Sequence, residues 1–352
     1  MSKKKVLMAM SGGLDSSMAA FMLKEQNYEL IGITLRVYNS QFRSEPMEQS
    51  IRDAHILAYQ LAIPYYVIDV SDDFKETVIH YFIDEYYNGK TPNPCALCNF
   101  HIKWNYLMQL ADEFNCDYVA SGHYAQINES NGRYYISEGT DALKDQSYFL
   151  WRLSQEYLKR TLFPLGKYTK VQIRELAKAK GFELIANKKE SYDICFIPEG
   201  DYRVFLEKNK KRHHLFSKPG DIVNLKGDVL GKHSGIANYT IGQRKGLGIA
   251  HTDPLYVVKI DAEKNIITLG RKQDLVQTSI YLKDYVLSKY ENLPDKTFYA
   301  KIRYKAPLVE CKISIENQKL KIDFLKPVTS VTSGQSAVIY EENDMVGGGV
   351  II

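Results

Sequence analysis

Val6-Leu7-Met8-Ala9-Met10-Ser11-Gly12-Gly13-Leu14-Asp15-Ser16-Ser17-Met18-Ala19-Ala20-Phe21-Met22-Leu23 is the stretch that decides the fold. An apolar run that reads as a strand ends in Ser-Gly-Gly, and a helical pattern starts within the next few residues. Strand, glycine turn and helix start together make a geometry that holds phosphate. Glycines let the backbone approach an anion closely. The first turn of the helix leaves N–H groups unpaired and carries a partial positive charge. Ser11, Ser16 and Ser17 add hydroxyl donors. The stretch is neither a Walker loop, which needs a Lys, nor a dinucleotide GxGxxG, which needs a third Gly.

Working outward, strand patterns at 5–10, Glu29–Val37, Tyr65–Val70 and Asp117–Ser121 alternate with helical patterns at 15–26, 47–62, 72–88 and 102–114. Strands separated by helices of this length predict a parallel sheet covered on both faces. Ligands bind such sheets at the carboxyl ends of the strands. The glycine loop, Leu35-Arg36-Val37 and Ser121-Gly122-His123-Tyr124 all fall at that edge, where they can face one nucleotide. A further helix is expected at 169–181, with Thr169 as cap and Gly181 as stop. After about residue 200 short β-rich pieces take over: 221–224, 255–260, 266–269, 297–304, 309–315, 320–324 and 337–340. The expected class is therefore α/β. A Rossmann-like domain with a parallel sheet spans 1–200, a small central linking domain 201–275, and an antiparallel barrel or sandwich 276–352.

The chain has 352 residues and a net charge of +4. Residues 151–250 carry 20 Lys and Arg against 10 Asp and Glu, so the middle is basic and suits a polyanionic partner. Lys208-Asn209-Lys210-Lys211-Arg212-His213-His214 is the densest basic run and reads first as a solvated helix end or loop. The first residues run straight into a strand pattern without an apolar signal region, and no apolar run is long enough to span a bilayer. A soluble, cytoplasmic monomer is expected, with no membrane partner.

Five cysteines without regular spacing do not make a disulfide framework. Thr91-Pro92-Asn93-Pro94-Cys95-Ala96-Leu97-Cys98-Asn99 places a CxxC in a proline-stiffened loop before a helix, where a helix N-terminus would lower a thiol's pKa. Cys195 lies far along the chain in Glu190-Ser191-Tyr192-Asp193-Ile194-Cys195-Phe196-Ile197, flanked by apolar residues as in a short strand. Three readings stand side by side. Zinc would normally show a second CxxC or CxxH pair. Three cysteines could hold an iron–sulfur cluster with one iron open. Cys98 and Cys195 could instead do redox work, carrying sulfur as a persulfide that a disulfide releases. Cys116 and Cys311 read as structural.

The ordered set SGGLDSS, TPNPCALCN-x-x-IKW, GHYA, KDQSYFL, ESYDICFI, IGQRKGLGI and TSGQSAVIY…GGGVI resembles the tRNA-specific 2-thiouridylases, and its first member resembles the PP-loop of ATP pyrophosphatases. The resemblance covers residues 6–352. It implies a PP-loop ATP-binding domain, a small central domain and a C-terminal β-barrel that grips tRNA. It implies ATP with Mg²⁺ at Ala9, Met10, Ser11, Gly12, Gly13, Leu14, Asp15, Ser16, Leu35 and Gly122. By the same resemblance Cys98 is the nucleophile and Cys195 the persulfide carrier, forming a transient disulfide. Asn93, Pro94 and Cys95 lie against the target base. Contacts to tRNA come from His123, Lys144, Asp145, Gln146, Arg303, Tyr304 and Gln335, and no resident metal is implied. A desulfurase or sulfur carrier supplies the sulfur. One departure is Cys95, where many members carry Asp with an acid/base role; thiol and carboxylate differ nominally as ~8.5 against ~3.9 in pKa. That substitution keeps the three-cysteine cluster open as the alternative, with a PP-loop small-molecule synthetase as the other.

Overall fold

The computed structural model describes residues 3–37, 44–188, 194–197, 200–209 and 218–352. Residues 190–193 of the Cys195 motif and 210–214 of the basic run lie outside the described residues.

Strand β1 (Lys5–Ala9) sits in a parallel sheet with β2 (Glu29–Arg36), β3 (Tyr65–Asp69), β4 (Tyr118–Ala120) and the short strand Thr161–Leu162, in the order β3-β2-β1-β4-(161–162). Alternation along β1 serves two cores. Val6 and Met8 pack with Met18, Ala19 and Met22 of helix α1 (Leu14–Glu25), while Leu7 packs with Trp104, Leu107 and Met108 on the other face. The chain runs from β1 to β2 in one direction and later places β4 on the other side of β1. The switch point of the sheet therefore lies between β1 and β4, where open α/β sheets bind ligands.

The helix expected at 72–88 runs from Ser71 to Tyr87 with a widened π-type turn at Lys75–Ile79. The helix expected from 102 begins earlier. Pro94–Cys98 is helical, passes through a π-type turn at Asn99–Trp104, and continues as Asn105–Glu113. Such turns recur at functional sites.

Gly220–Val223, Val229–His233, Tyr256–Asp261 and Ile266–Gly270 form a small mixed sheet around Ile222, Val257, Ile267 and Leu269. Beyond it, Val276–Leu287, Lys319–Thr329, Val309–Glu316, Phe298–Lys301, Ser336–Glu341 and Asp344–Ile351 pair antiparallel in that order. The first and last strands pair with each other, which closes a six-stranded barrel rather than a sandwich.

The hairpin Ala125–Ser130/Arg133–Glu138 is absent from the periodicity reading. It turns at Asn131 and Gly132, both at positive φ, and Asn-Gly is the strongest short-range hairpin signal in a sequence. Ser137 pairs with Asp344, so this N-terminal hairpin extends the barrel's sheet. Among the described residues no helix is long and apolar enough to cross a membrane.

Candidate active site

The glycine loop is built mainly from backbone. Gly12 sits at φ +67°, and a Cβ there would lie 2.0 Å from the carbonyl oxygen of Ser50 in helix α2 (Ser44–Gln60), so only glycine fits. Gly13 caps α1 in an extended conformation with no side-chain cap, leaving the first helical N–H groups open to an anion. The Ser16 hydroxyl accepts from Ser11 N–H at 3.0 Å and donates to the Gly13 carbonyl at 3.2 Å, which closes the loop on itself. Gly122 meets this turn from β4. A Cβ on it would come within 2.6 Å of Ser16 N. The loops after β1 and β4 thus touch at the switch point. Leu35, at the end of β2, packs into the two cores beneath.

Two cations missed by the sequence reading complete this region. Lys170 donates to both Asp15 carboxylate oxygens at 2.6 and 2.8 Å, and the Tyr124 hydroxyl donates to the same group at 2.8 Å. Lys188 donates to the Gly12 carbonyl at 2.7 Å and is ion-paired with Asp53 of α2. Neither lysine belongs to a motif. Only the fold brings them to the loop.

The thiols occupy a contrasting environment. Asn93 caps the short helix by accepting from Ala96 N–H at 3.3 Å, and Pro94 opens it. Cys98 is buried among Phe74, Val78, Phe82, Ile102 and Phe196. Cys195 is exposed on a turn, not in a strand, closed by Ile197 N–H to the Ile194 carbonyl at 3.0 Å. Phe196 and Ile197 are the apolar anchors that drive this: they enter the core with Cys98 and leave Cys195 outside it. The three thiols are near enough to influence one another. Burial first, then negative charge on Cys195, pushes Cys95 up to about 11. Burial pushes Cys98 up to about 12, with Lys103 the opposing cation. This corrects the expectation of a thiol acidified by a helix N-terminus: desolvation outweighs the helix start, and Cys98 lies at the end of its five-residue helix.

His123 donates to or accepts from the Ser121 hydroxyl at 2.8 Å and packs against Trp104 and Phe163. Burial, with Lys103 contributing, lowers its pKa to about 3 and keeps the ring neutral.

The remaining candidates are mostly internal connectors. Gln335 donates to the carbonyls of Thr91 at 2.9 Å and Pro92 at 3.1 Å. Thr91 N–H donates to the Ser333 carbonyl at 2.9 Å, and Asn93 reaches Ser336 Oγ at 3.2 Å. Trp151 Nε1 donates to the same hydroxyl at 2.9 Å, so Ser336, which stands in the TSGQSAVIY motif without an assigned role, joins barrel, loop and the segment after KDQ. Asp145 is buried and accepts from Gly139 N–H, Ser147 N–H and Ser147 Oγ, which shapes its own loop. Gln146 accepts from Tyr124 N–H at 3.0 Å, and Tyr304 donates to the Asp145 carbonyl at 2.9 Å. Arg303 is exposed and Lys144 half-buried. A cavity of about 320 Å³ opens between this loop and the barrel, lined by Leu143, Asp145, Lys301, Tyr304 and Lys305. Cys116 and Cys311 are buried with thiols raised by burial, as structural cysteines are.

Among the described residues no three His, Cys, Asp or Glu side chains are grouped to share a metal ion. A cluster on Cys95, Cys98 and Cys195 is not supported by the geometry, because the described residues bring no three such side chains close enough to ligate together. The loop's carboxylate, Asp15, accepts from Lys170 and Tyr124. Magnesium arriving with a nucleotide keeps phosphate and water ligands.

Comparison with known proteins places this geometry. The family described as tRNA methyl transferase HUP domain matches residues 4–199, the tRNA methyl transferase PRC-barrel domain 209–271, and the aminomethyltransferase beta-barrel domain 278–351. The tRNA-specific 2-thiouridylase MnmA of Cytophaga hutchinsonii is 44% identical over 361 residues, covering 100% of this chain and 98% of that one. Those of Amoebophilus asiaticus and Clostridium perfringens are each 43% identical, covering 100% of this chain and 96% and 99% of theirs. With such identity along the whole of each protein, the chain belongs to the MnmA family of tRNA-specific 2-thiouridylases.

Proposed function

We propose that this enzyme converts the C2 oxygen of the wobble uridine of tRNA to sulfur in two half-reactions, one on the glycine loop and one at the thiols. The observation that supports the reading is that the first domain carries both a backbone-built anion site and a pair of thiols, Cys98 and Cys195, close enough for the charge of one to act on the other.

In the first half-reaction ATP lies with its phosphates on Ser11–Ser16. The uridine is turned out of its stack so that C2=O reaches the α-phosphorus. Attack forms the O–P bond and expels pyrophosphate. An amide-like oxygen leaves poorly, and as AMP it leaves well. The open N–H groups of the loop stabilise the developing charge without reorganising. Cys95, Asn93 and Pro94 line the base, and Lys144, Arg303 and the basic middle meet tRNA phosphates.

In the second half-reaction the terminal sulfur of a Cys195 persulfide attacks C2 and AMP departs. Cys98 then attacks Cys195 Sγ, releasing 2-thiouridine and leaving a Cys98–Cys195 disulfide. Alternatively Cys98 attacks first and the freed hydrosulfide displaces AMP. Both routes leave the same disulfide and need two electrons from an external thiol reductant. The exposure of Cys195 supports delivery of its sulfur by a separate donor protein, and the shelter of Cys98 supports its use only after the base has docked. A monomer in the cytoplasm is the working state for this scheme.

The test is anaerobic: purified protein, tRNA, ATP, and a cysteine desulfurase with cysteine. 2-Thiouridine is read by mass spectrometry and iron in the same sample. Product without iron is expected. Product that depends on bound iron overturns the persulfide assignment, and ATP cleavage without product overturns the acceptor.

A further inference from the structure

The contacts of Lys188 have no part in the scheme above, and they point at one peptide bond. In a trans peptide the carbonyl and the N–H project to opposite sides. The Gly12 carbonyl and the Gly13 N–H belong to the same peptide. Lys188 Nζ lies 2.7 Å from that carbonyl. The ammonium is ion-paired with Asp53, and Asp53 accepts from Gln49 Nε2 at 2.7 Å, so a chain of contacts ties the peptide to α2. Gly12 is left-handed and is followed by a second glycine. A Gly-Gly link offers little steric resistance to rotating the intervening peptide. Flipped, it would aim a carbonyl oxygen at the anion instead of an N–H.

We infer that Lys188 is a positioning residue for ATP: by holding the Gly12 carbonyl on the α2 side it fixes the Gly13 N–H toward the phosphates. The inference rests on the reading that this loop binds ATP.

The experiment compares wild type, Lys188→Met and Lys188→Arg. Measured are KM for ATP and kcat in tRNA-dependent pyrophosphate release, tRNA affinity, and thermal midpoint. Loss of a charge-assisted hydrogen bond predicts that Lys188→Met raises KM for ATP about 10- to 100-fold, with tRNA affinity within about twofold. Lys188→Arg, which keeps the cation, stays near wild type. Wild-type KM for ATP in Lys188→Met overturns the inference, as does equal impairment in Lys188→Arg. Should Lys188→Met fail to fold, Lys188→Gln decides on the same two outcomes. ATP binding by equilibrium dialysis separates this from the function itself. A wild-type protein that binds ATP yet releases no pyrophosphate with tRNA defeats the proposed reaction, while weaker ATP binding in the variant still supports Lys188.

Discussion

The glycine loop and the thiol pocket are built on opposite electrostatic plans. At the loop, unpaired backbone N–H groups and paired lysines stand ready for negative charge before any ligand arrives. At the pocket, aromatic and aliphatic side chains strip water from Cys98 and hold it as a neutral thiol. One site is armed in the resting molecule and the other disarmed. The difference suits the chemistry. Phosphate is harmless to wait for, whereas a standing thiolate next to a persulfide would release sulfur before a base is present to take it.

The largest effect that sharpens this contrast comes from Cys195→Ser. Thiolation should fall by at least ~10³-fold while tRNA-dependent pyrophosphate release continues, because only the second half-reaction uses that atom. Mass spectrometry of the tRNA beside a pyrophosphate assay reads both; persistent thiolation would show that the two regions are not divided in this way. Next, Asp15→Ala should raise KM for ATP by ~10- to 100-fold and leave tRNA affinity within about twofold. It also removes the carboxylate to which Lys170 donates, so part of the loss should return in Asp15→Asn, which restores a hydrogen-bond acceptor; filter binding and steady-state kinetics check this.

The neutral His123 makes a pH prediction. Its pKa is lowered in the fold, to about 3, and ordinary in the unfolded chain. Its contribution to stability is therefore complete above about pH 6.5 and is lost as pH falls toward 3, at ~1.4 kcal/mol per unit. Urea melts at pH 7, 5 and 4 should show wild type and His123→Gln converging as pH drops. A constant gap would mean the ring is not held neutral. Smallest is Gln335→Ala, which removes the one amide nitrogen that donates to both the Thr91 and Pro92 carbonyls. It should lower kcat by ~2- to 10-fold without moving KM for ATP, because it loosens the thiol loop alone.

What could be read from the sequence follows the same division. The phosphate loop is local: strand, glycines and helix start are contiguous, and a dozen residues carry the whole geometry. The alternation of strands and helices likewise exposes the parallel sheet. The thiol environment is non-local. Nothing around Cys98 announces that Phe74, Phe82 and Phe196 converge on it, so a helix-start argument favours a thiolate where burial favours a thiol. Lys170 and Lys188 are invisible for the same reason, being ordinary residues whose partners lie far along the chain, and Ser336 stands in a quoted motif without its partners being legible. Asp145 and Gln335 stand in motifs that resemblance assigns to tRNA, and in the chain by itself their side chains bond backbone groups and, for Asp145, the Ser147 hydroxyl. The motif marks the place, and the contact depends on tertiary structure. The Asn131-Gly132 hairpin is the opposite case, a local signal that periodicity alone passes over.

The latch between Gln335 and the loop at Thr91 joins residues 244 positions apart. On a ribosome adding about 5–20 residues per second, ~12 to 50 s separate the synthesis of the two partners. Throughout that interval the CxxC loop lacks the barrel contacts that brace it, while the side chains that bury Cys98 are made before the barrel is. The loop that carries Cys95 and Cys98 therefore takes its final bracing last, when the barrel segment bearing Gln335 is complete.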